Sequence, residues 1–266
     1  MNQPCVTGLV VSILLFSAQC APFPVAPGAL QTEAQFLLLQ NISSTGTGTT
    51  QAIQSGMFGS AFGFNGTTSY VDVDTSGGVP LGPPLTIEAF VKTTGSGTYV
   101  VYQAYGGIAV AQLSITPAGN VSFLVVNNSC SGSTTLVSTG ALTPGVTYHI
   151  AAVWTAGNQM RIYINGSVDP ASMAGPALTC SSTNQHSIGR DRGGFNYFNG
   201  SIDEIRYSNI ARYSANFSVP TAPFVADANT SLLFHLDSLG FQAEGSTMPV
   251  TSFTLNGITL GSSFVL

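Results

Sequence analysis

The chain has 266 residues, six of them basic and eleven acidic, for a net charge of −5. Lys92 is its single lysine and no basic stripe occurs, which excludes the electrostatic footprint of nucleic-acid binding. Thirty glycines and 14 prolines, among abundant Ser, Thr, Val and Phe, suit many short strands joined by turns and argue against long helices.

In chain order, residues 8–18 (GLVVSILLFSA) form an apolar run of eleven residues. That is too short to cross a bilayer as a helix and matches the hydrophobic stretch of a secretory signal peptide. Ala18 and Cys20 are small residues placed for cleavage before Ala21, yet no Lys or Arg precedes the run. Residues 1–20 therefore stay open to three readings: a cleaved signal, a retained apolar arm buried in an assembly, and a lipoprotein acylated at Cys20. Residues 21–33 open with APFPVAPGAL, a proline-rich linker unsuited to helix.

From 34 to 238 strand candidates recur about every 10 to 18 residues. They are AQFLLLQ (34–40), SAFGFNG (60–66), SYVDVD (69–74), LTIEAFVKT (85–93), TYVVYQA (98–104), GIAVAQLSIT (107–116) and NVSFLVVN (120–127). TTLVST (134–139), TYHIAAVWT (147–155), MRIYING (160–166), HSIGR (186–190), GSIDEIRYS (200–208) and TSLLFHL (230–236) follow. Glycine, proline and Asn-Gly pairs punctuate them. In TYHIAAVWT, Tyr148, Ile150, Ala152 and Trp154 take one face and His149, Ala151 and Val153 the other. Both faces are largely apolar, as for a central strand with its second face partly covered. Trp154, the only tryptophan, reads as a core anchor. The expected fold is all-β: a two-sheet antiparallel β-sandwich with a jelly-roll path. Residues 239–266 read as a β-prone tail that either pairs with another chain or folds back as an added strand.

Five stretches in this order and spacing carry a resemblance: AFGFNGTTSYVDV, LTIEAFVKT, PGVTYHIAAVWTAGNQMRIYINGS, IGR, and YFNGSIDEIRYSNIARYSANFSVPTAPF. Together the chain resembles the laminin-G-like, concanavalin A-like jelly rolls, and most of all the versions on phage and bacterial surfaces. The resemblance runs from about residue 35 to 237, most of the chain. Residues 35–41 and 231–237 also resemble each other faintly and are expected as neighbouring outer strands of one sheet.

The stretch FNGSIDEIRY (198–207) crowds three charges into four positions. On a regular strand Ile202, Glu204 and Arg206 share one face, and Asp203, Ile205 and Tyr207 the other. Glu204 and Arg206 are then expected to pair, with Glu88 as a cross-strand partner, because a buried charge is costly unless paired. The family resemblance also implies a structural calcium ion as an alternative, with Asp203 as ligand beside backbone carbonyls.

The loop GRDRGGFNYFNG (189–200) clusters Asp191, Arg192, Asn196 and Tyr197 on a glycine-rich turn, the residue types that contact a glycan or a protein surface. An ordinary solvated loop is the plain alternative. Cys130 and Cys180 both sit in Ser-rich stretches, and a disulfide between them is expected, with free thiols as the alternative. Such a bond implies an oxidising compartment or a virion exterior. The spacing of the four cysteines and three histidines does not suit zinc. Eight N-x-S/T sequons occur, of which Asn65, Asn165 and Asn199 precede glycine and are expected to begin turns.

Retaining glycosidases need two carboxylates about 5–5.5 Å apart, and the family's glucanases place theirs in an E-x-D-x-(x)-E pattern that this chain lacks. GxSxG, HExxH and P-loop motifs are also missing. The expectation is a non-enzymatic module, extracellular or displayed on a cell or virion surface, that binds glycan or protein. The alternative is a virion or filament structural protein whose terminal arms drive self-assembly.

Overall fold

The computed structural model describes residues 58–80, 82–106, 109–127, 132–176, 183–238 and 250–262. The signal-like segment, the linker, strand candidate 34–40 and all four cysteines lie outside these residues, and with them the expected disulfide and the expected neighbour of 231–237.

Among the described residues fifteen strands follow one another: β1 (Ser60–Asn65), β2 (Tyr70–Val79), β3 (Leu85–Thr93), β4 (Tyr99–Tyr105), β5 (Ala109–Ile115), β6 (Asn120–Val126), β7 (Ser133–Ala141), β8 (Thr147–Trp154), β9 (Gln159–Ile164), β10 (Ser167–Ala174), β11 (Thr183–Ile188), β12 (Asn199–Ser208), β13 (Thr230–Phe234), β14 (Val250–Asn256) and β15 (Thr259–Ser262). They pair antiparallel into two sheets. Sheet A runs β10-β9-β8-β3-β12-β1-β15, with β13 also beside β12; sheet B runs β14-β2-β11-β4-β5-β6-β7. Along one edge of β12, β1 pairs with its first half and β13 with its second, while β3 occupies the other edge. This is the expected all-β sandwich. β10 was not anticipated; its hairpin with β9 turns on Asn165 (φ 48°) and Gly166 (φ 75°), the positive-φ pair that two-residue hairpins favour. Asn199 and Gly200, expected to turn, instead open β12.

The period-two alternation places the core between the sheets. Ile87, Ala89 and Val91 of β3 and Ile150, Ala152 and Trp154 of β8 face Val101, Tyr102 and Ala104 of β4 and Leu113 of β5, all buried in one cluster. The Trp154 indole donates to Asn158 Oδ1 at 2.8 Å. The two sides of the sandwich are closed differently. On one, the turn between β14 and β15 carries the chain from sheet B to sheet A, where Ser69 Oγ donates to Gly257 O at 2.6 Å. On the other, Asp169 of β10 accepts from the Thr139 and Gly140 amides of β7 at 2.9 and 2.8 Å. Burial pushes the Asp169 carboxyl up, but those amides, that of Ala171 and the Thr139 hydroxyl outweigh it and hold it below its ordinary value.

The outer face of sheet A is also dry. Residues 209–229 leave β12, cross β3, β8 and β9, and return to β13 as a strap. Tyr213 and Phe217 pack on Ala151, Val153 and Tyr163, and Phe224 packs with Phe90, Ala61 and Leu233. The apolar second face of β8 is thus covered.

Beneath the strap the charged cluster departs from expectation. Asp203 is registered with Phe90 and Arg206 with Glu88, so Glu204 and Ile205 together oppose Ala89. This is a β-bulge, with Glu204 at φ 52°. One extra residue reverses the alternation: Ile202, Ile205 and Tyr207 enter the core, and Arg206 turns to the outer face. Glu204 therefore does not pair with Arg206. Its carboxylate accepts the Phe224 amide at 2.8 Å and meets His235 Nδ1 at 2.6 Å. Arg206 instead donates through Nε to Glu88 Oε1 at 2.8 Å, while His149 Nε2 and the Tyr213 hydroxyl meet Glu88 Oε2 at 3.1 and 2.7 Å. Burial raises the Glu88 carboxyl, but the bond from His149, the charge of Arg206 and the bond from Tyr213 leave it below its ordinary value. Asp203 is buried, and its Oδ2 accepts the Phe58 amide at 3.3 Å. Among the described residues no group of three or more His, Cys, Asp or Glu is placed to hold a metal.

Candidate functional site

One end of the sandwich gathers the loops 94–98, 116–119, 142–146 and 189–198. Backbone bonds tie them to one another: Leu142 N donates to Gly119 O at 2.8 Å, Gly145 N to Thr93 O at 2.7 Å, Thr94 N to Asn199 O at 3.0 Å and Val100 N to Asn196 O at 3.0 Å. The rim is a hydrogen-bonded surface, although it is built from loops.

The loop 189–198 is ordered from within. Gly189 (φ 80°) starts it against the Phe64 ring, where a side chain would collide. Phe198 ends it, fully buried between the rings of Phe64 and Tyr99. Between them Asp191 organises a turn: its carboxylate accepts from Phe195 N and Asn196 Nδ2, each at 2.9 Å, and its carbonyl accepts from Gly194 N at 3.0 Å. Glycines at 193 and 194 allow the reversal, Gly194 at φ 85°.

Two arginines pin this loop to the outer face of sheet B. Asp72 and Asp74 project from that face of β2, two residues apart. Arg190 lies over the Tyr70 ring at 3.4 Å and donates to Asp72 Oδ2 at 2.8 Å. Arg192 donates to Asp74 Oδ1 from both terminal nitrogens at 3.1 Å, and its backbone amide to Gln103 Oε1 at 2.9 Å. Ser187 completes Asp72 at 2.7 Å, Ser252 completes Asp74 at 3.0 Å, and Gln103 passes the network on to Gln112 at 2.8 Å. Both carboxylates are thus engaged by cations and hydroxyls.

The four residues expected from the sequence do come together here, in different roles. Asp191 and Arg192 hold the loop. Asn196 braces Asp191 with its amide and β4 with its carbonyl, and the Tyr197 hydroxyl lies 3.5 Å from Arg190 Nη1. Outward the loop presents Phe195, 69% exposed and not among the four expected residues, with Asn196 exposed beside it. The signal was present in Gly193-Gly194-Phe195: a large aromatic directly after a glycine reversal has no strand alternation to carry it inward. Arg190, Asp72 and Asp74 were also missed as a unit, because they lie more than a hundred residues apart.

Beside the loop is a depression of about 160 Å³, lined among others by Tyr99, Ile115, Pro117 and Leu142. Small-molecule sites usually occupy about 300–1,000 Å³, so this depression is smaller than a typical one.

A family model described as the concanavalin A-like lectin/glucanases superfamily, of laminin-G type, matches residues 65–216, more than half of the chain. Among solved structures, a candidate carbohydrate-binding protein from Bacteroides ovatus superposes with a TM-score of 0.59 at 19% identity, over 79% of this chain and 61% of its own. The chain thus spans about three fifths of that protein's length. A heptameric SAP-like pentraxin from Limulus polyphemus gives a TM-score of 0.52 at 17% identity, over 77% of this chain and 95% of its own. Identities this low establish a shared fold and nothing finer. No curated protein matches the chain by sequence.

Proposed function

The chain belongs to the concanavalin A-like lectin/glucanase superfamily, and from that premise we propose that it is a non-enzymatic carbohydrate-binding module working outside the cell. The observation that carries the reading is Phe195, an aromatic ring 69% exposed on a loop pinned by two arginines. A sugar has an apolar C–H face that packs on such a ring, and hydroxyls that polar rim groups can meet. Because the loop is ordered before any ligand arrives, binding does not carry the penalty of ordering it. The description of the Bacteroides neighbour agrees with this reading. The apolar run at 8–18, in its reading as a secretory signal, supports a module that works beyond a membrane. Asp72 and Asp74 are each held by an arginine and serve to anchor the loop.

The test is a glycan array probed with the native protein, followed by titration calorimetry on the best ligand. Phe195→Ala is expected to weaken that ligand about tenfold or more, roughly 1.4 kcal/mol, with an unchanged melting temperature because the ring buries little. Unaltered affinity would remove Phe195 from the site.

A further inference from the structure

The depression at the rim shares the segment 94–99 with the foot of the Phe195 loop. Tyr99 lines it and packs on Phe198 at a centroid distance of 5.6 Å, while the next amide, Val100 N, donates to Asn196 O at 3.0 Å. The depression and the foot of the Phe195 loop therefore adjoin through Tyr99 and Val100. The lining is uniform in one respect. Tyr99, Ile115, Pro117 and Leu142 supply apolar walls, Ser96 and Thr116 supply hydroxyls, and among the described lining residues no Asp, Glu, Lys, Arg or His appears. The arginines of the neighbouring loop do not supply that charge, being committed to Asp72 and Asp74 at 2.8 and 3.1 Å.

Resting on the carbohydrate-binding reading, we infer that this depression is the primary subsite and seats the terminal residue of an uncharged glycan, with Phe195 stacking on the residue behind it. A volume of about 160 Å³ suits one sugar ring. The amphipathic lining matches a ring that has an apolar face and hydroxyl edges. An acidic sugar, a sialic acid or a uronate, would place an ionised carboxylate against Ile115, Pro117 and Leu142 with no cation opposite, and an unpaired charge out of water is strongly disfavoured. The net charge of −5 repels acidic glycans further at low salt. Specificity on this account is exclusion of charge at the glycan terminus.

The experiment uses sets of one oligosaccharide differing only at the terminal residue: galactose, the same galactose capped with sialic acid, and a uronate in its place. The full chain is expected to bind the neutral terminus at least tenfold more tightly than either acidic one, with affinity flat across a salt titration. Ala118 is exposed at the mouth of the depression. Ala118→Trp is expected to fill it and abolish binding of the neutral form, with the melting temperature unchanged. Equal or tighter binding of an acidic terminus overturns the inference and leaves carbohydrate binding standing. Undiminished binding by Ala118→Trp removes the depression from the site. If no member of the set and no glycan on the array binds, the carbohydrate reading itself falls, and this inference with it.

Discussion

Sheets A and B each carry an arginine–carboxylate network on the outer face, and the two differ in what covers them. On sheet A the strap seals Glu88 at 0% and Arg206 at 10% side-chain exposure, with Phe224 over the guanidinium at 4.2 Å. On sheet B the side chains of Arg192 and Asp74 remain 16% and 35% exposed, and water reaches the pair. The same chemistry therefore has different consequences. Beneath the strap, breaking one partner leaves a charge stranded in a dry layer. At the rim, water and salt screen the pair, so it contributes little to folding and mainly holds a loop in place. One network is built into the strand register and the other holds a rim loop in place.

The sharpest way to break the comparison is Arg206→Ala, expected to lower unfolding free energy in urea by about 3–5 kcal/mol by taking the nearest cation from buried Glu88, which keeps His149, Tyr213 and, at 3.9 Å, Arg212. Combining Arg206→Met with Glu88→Gln, which removes both charges and leaves an acceptor for the Tyr213 hydroxyl, is expected to lose less than half of that. A loss below about 1 kcal/mol for Arg206→Ala would place this pair with the surface pairs.

An intermediate effect concerns the inner side of sheet B. His186 is buried in the core, its Nδ1 at 2.9 Å from the Tyr102 hydroxyl. Burial, then the charge of Arg192, push it down to about 3 from 6.5, with Asp74 opposing. The sign follows from linkage. Below pH 6.5 the unfolded chain takes a proton at this position that the folded chain refuses until about pH 3, so stability present above 6.5 is lost progressively as pH falls through that window. The measurement is the urea midpoint against pH, read above about pH 5 so that ordinary carboxylates stay ionised. His186→Gln is expected to flatten the slope, and an unchanged slope would show that another group carries it.

The smallest effect on stability is expected from Arg192→Ala: about 1 kcal/mol or less, a shift of roughly 2–4 °C in melting temperature for a domain of this size. Glycan affinity should fall more than stability, because the loop that carries Phe195 loses its anchor on Asp74. A stability loss equal to that of Arg206→Ala would erase the difference between the two faces.

Much of the fold was legible in the sequence because strands announce themselves by alternation. Ile150, Ala152 and Trp154 enter the core as the pattern requires, and the apolar opposite face of β8 correctly signalled a second covered side. FNGSIDEIRY was legible as a buried charged cluster but not in its pairing. Period-two reasoning assumes no insertion, and a single residue at φ 52° reversed every assignment beyond it. At the rim, the polar loop 189–200 stood out by composition, whereas the exposure of Phe195 depended on a turn that Asp191 closes with its own side chain.

By itself the amino-acid sequence determined the class of structure and the identity of most core strands. Each follows from local residue order, and neither needs knowledge of distant partners. The tertiary structure alone decided that Arg206 answers Glu88 across 118 residues, that Arg190 and Arg192 answer Asp72 and Asp74, and that residues 250–262 supply a strand to each sheet. Those are contacts between segments remote in the chain, and their geometry depends on bulges and turns that shift register by one residue. Composition and periodicity carry no record of such a shift, because the same residues serve either register until packing selects one.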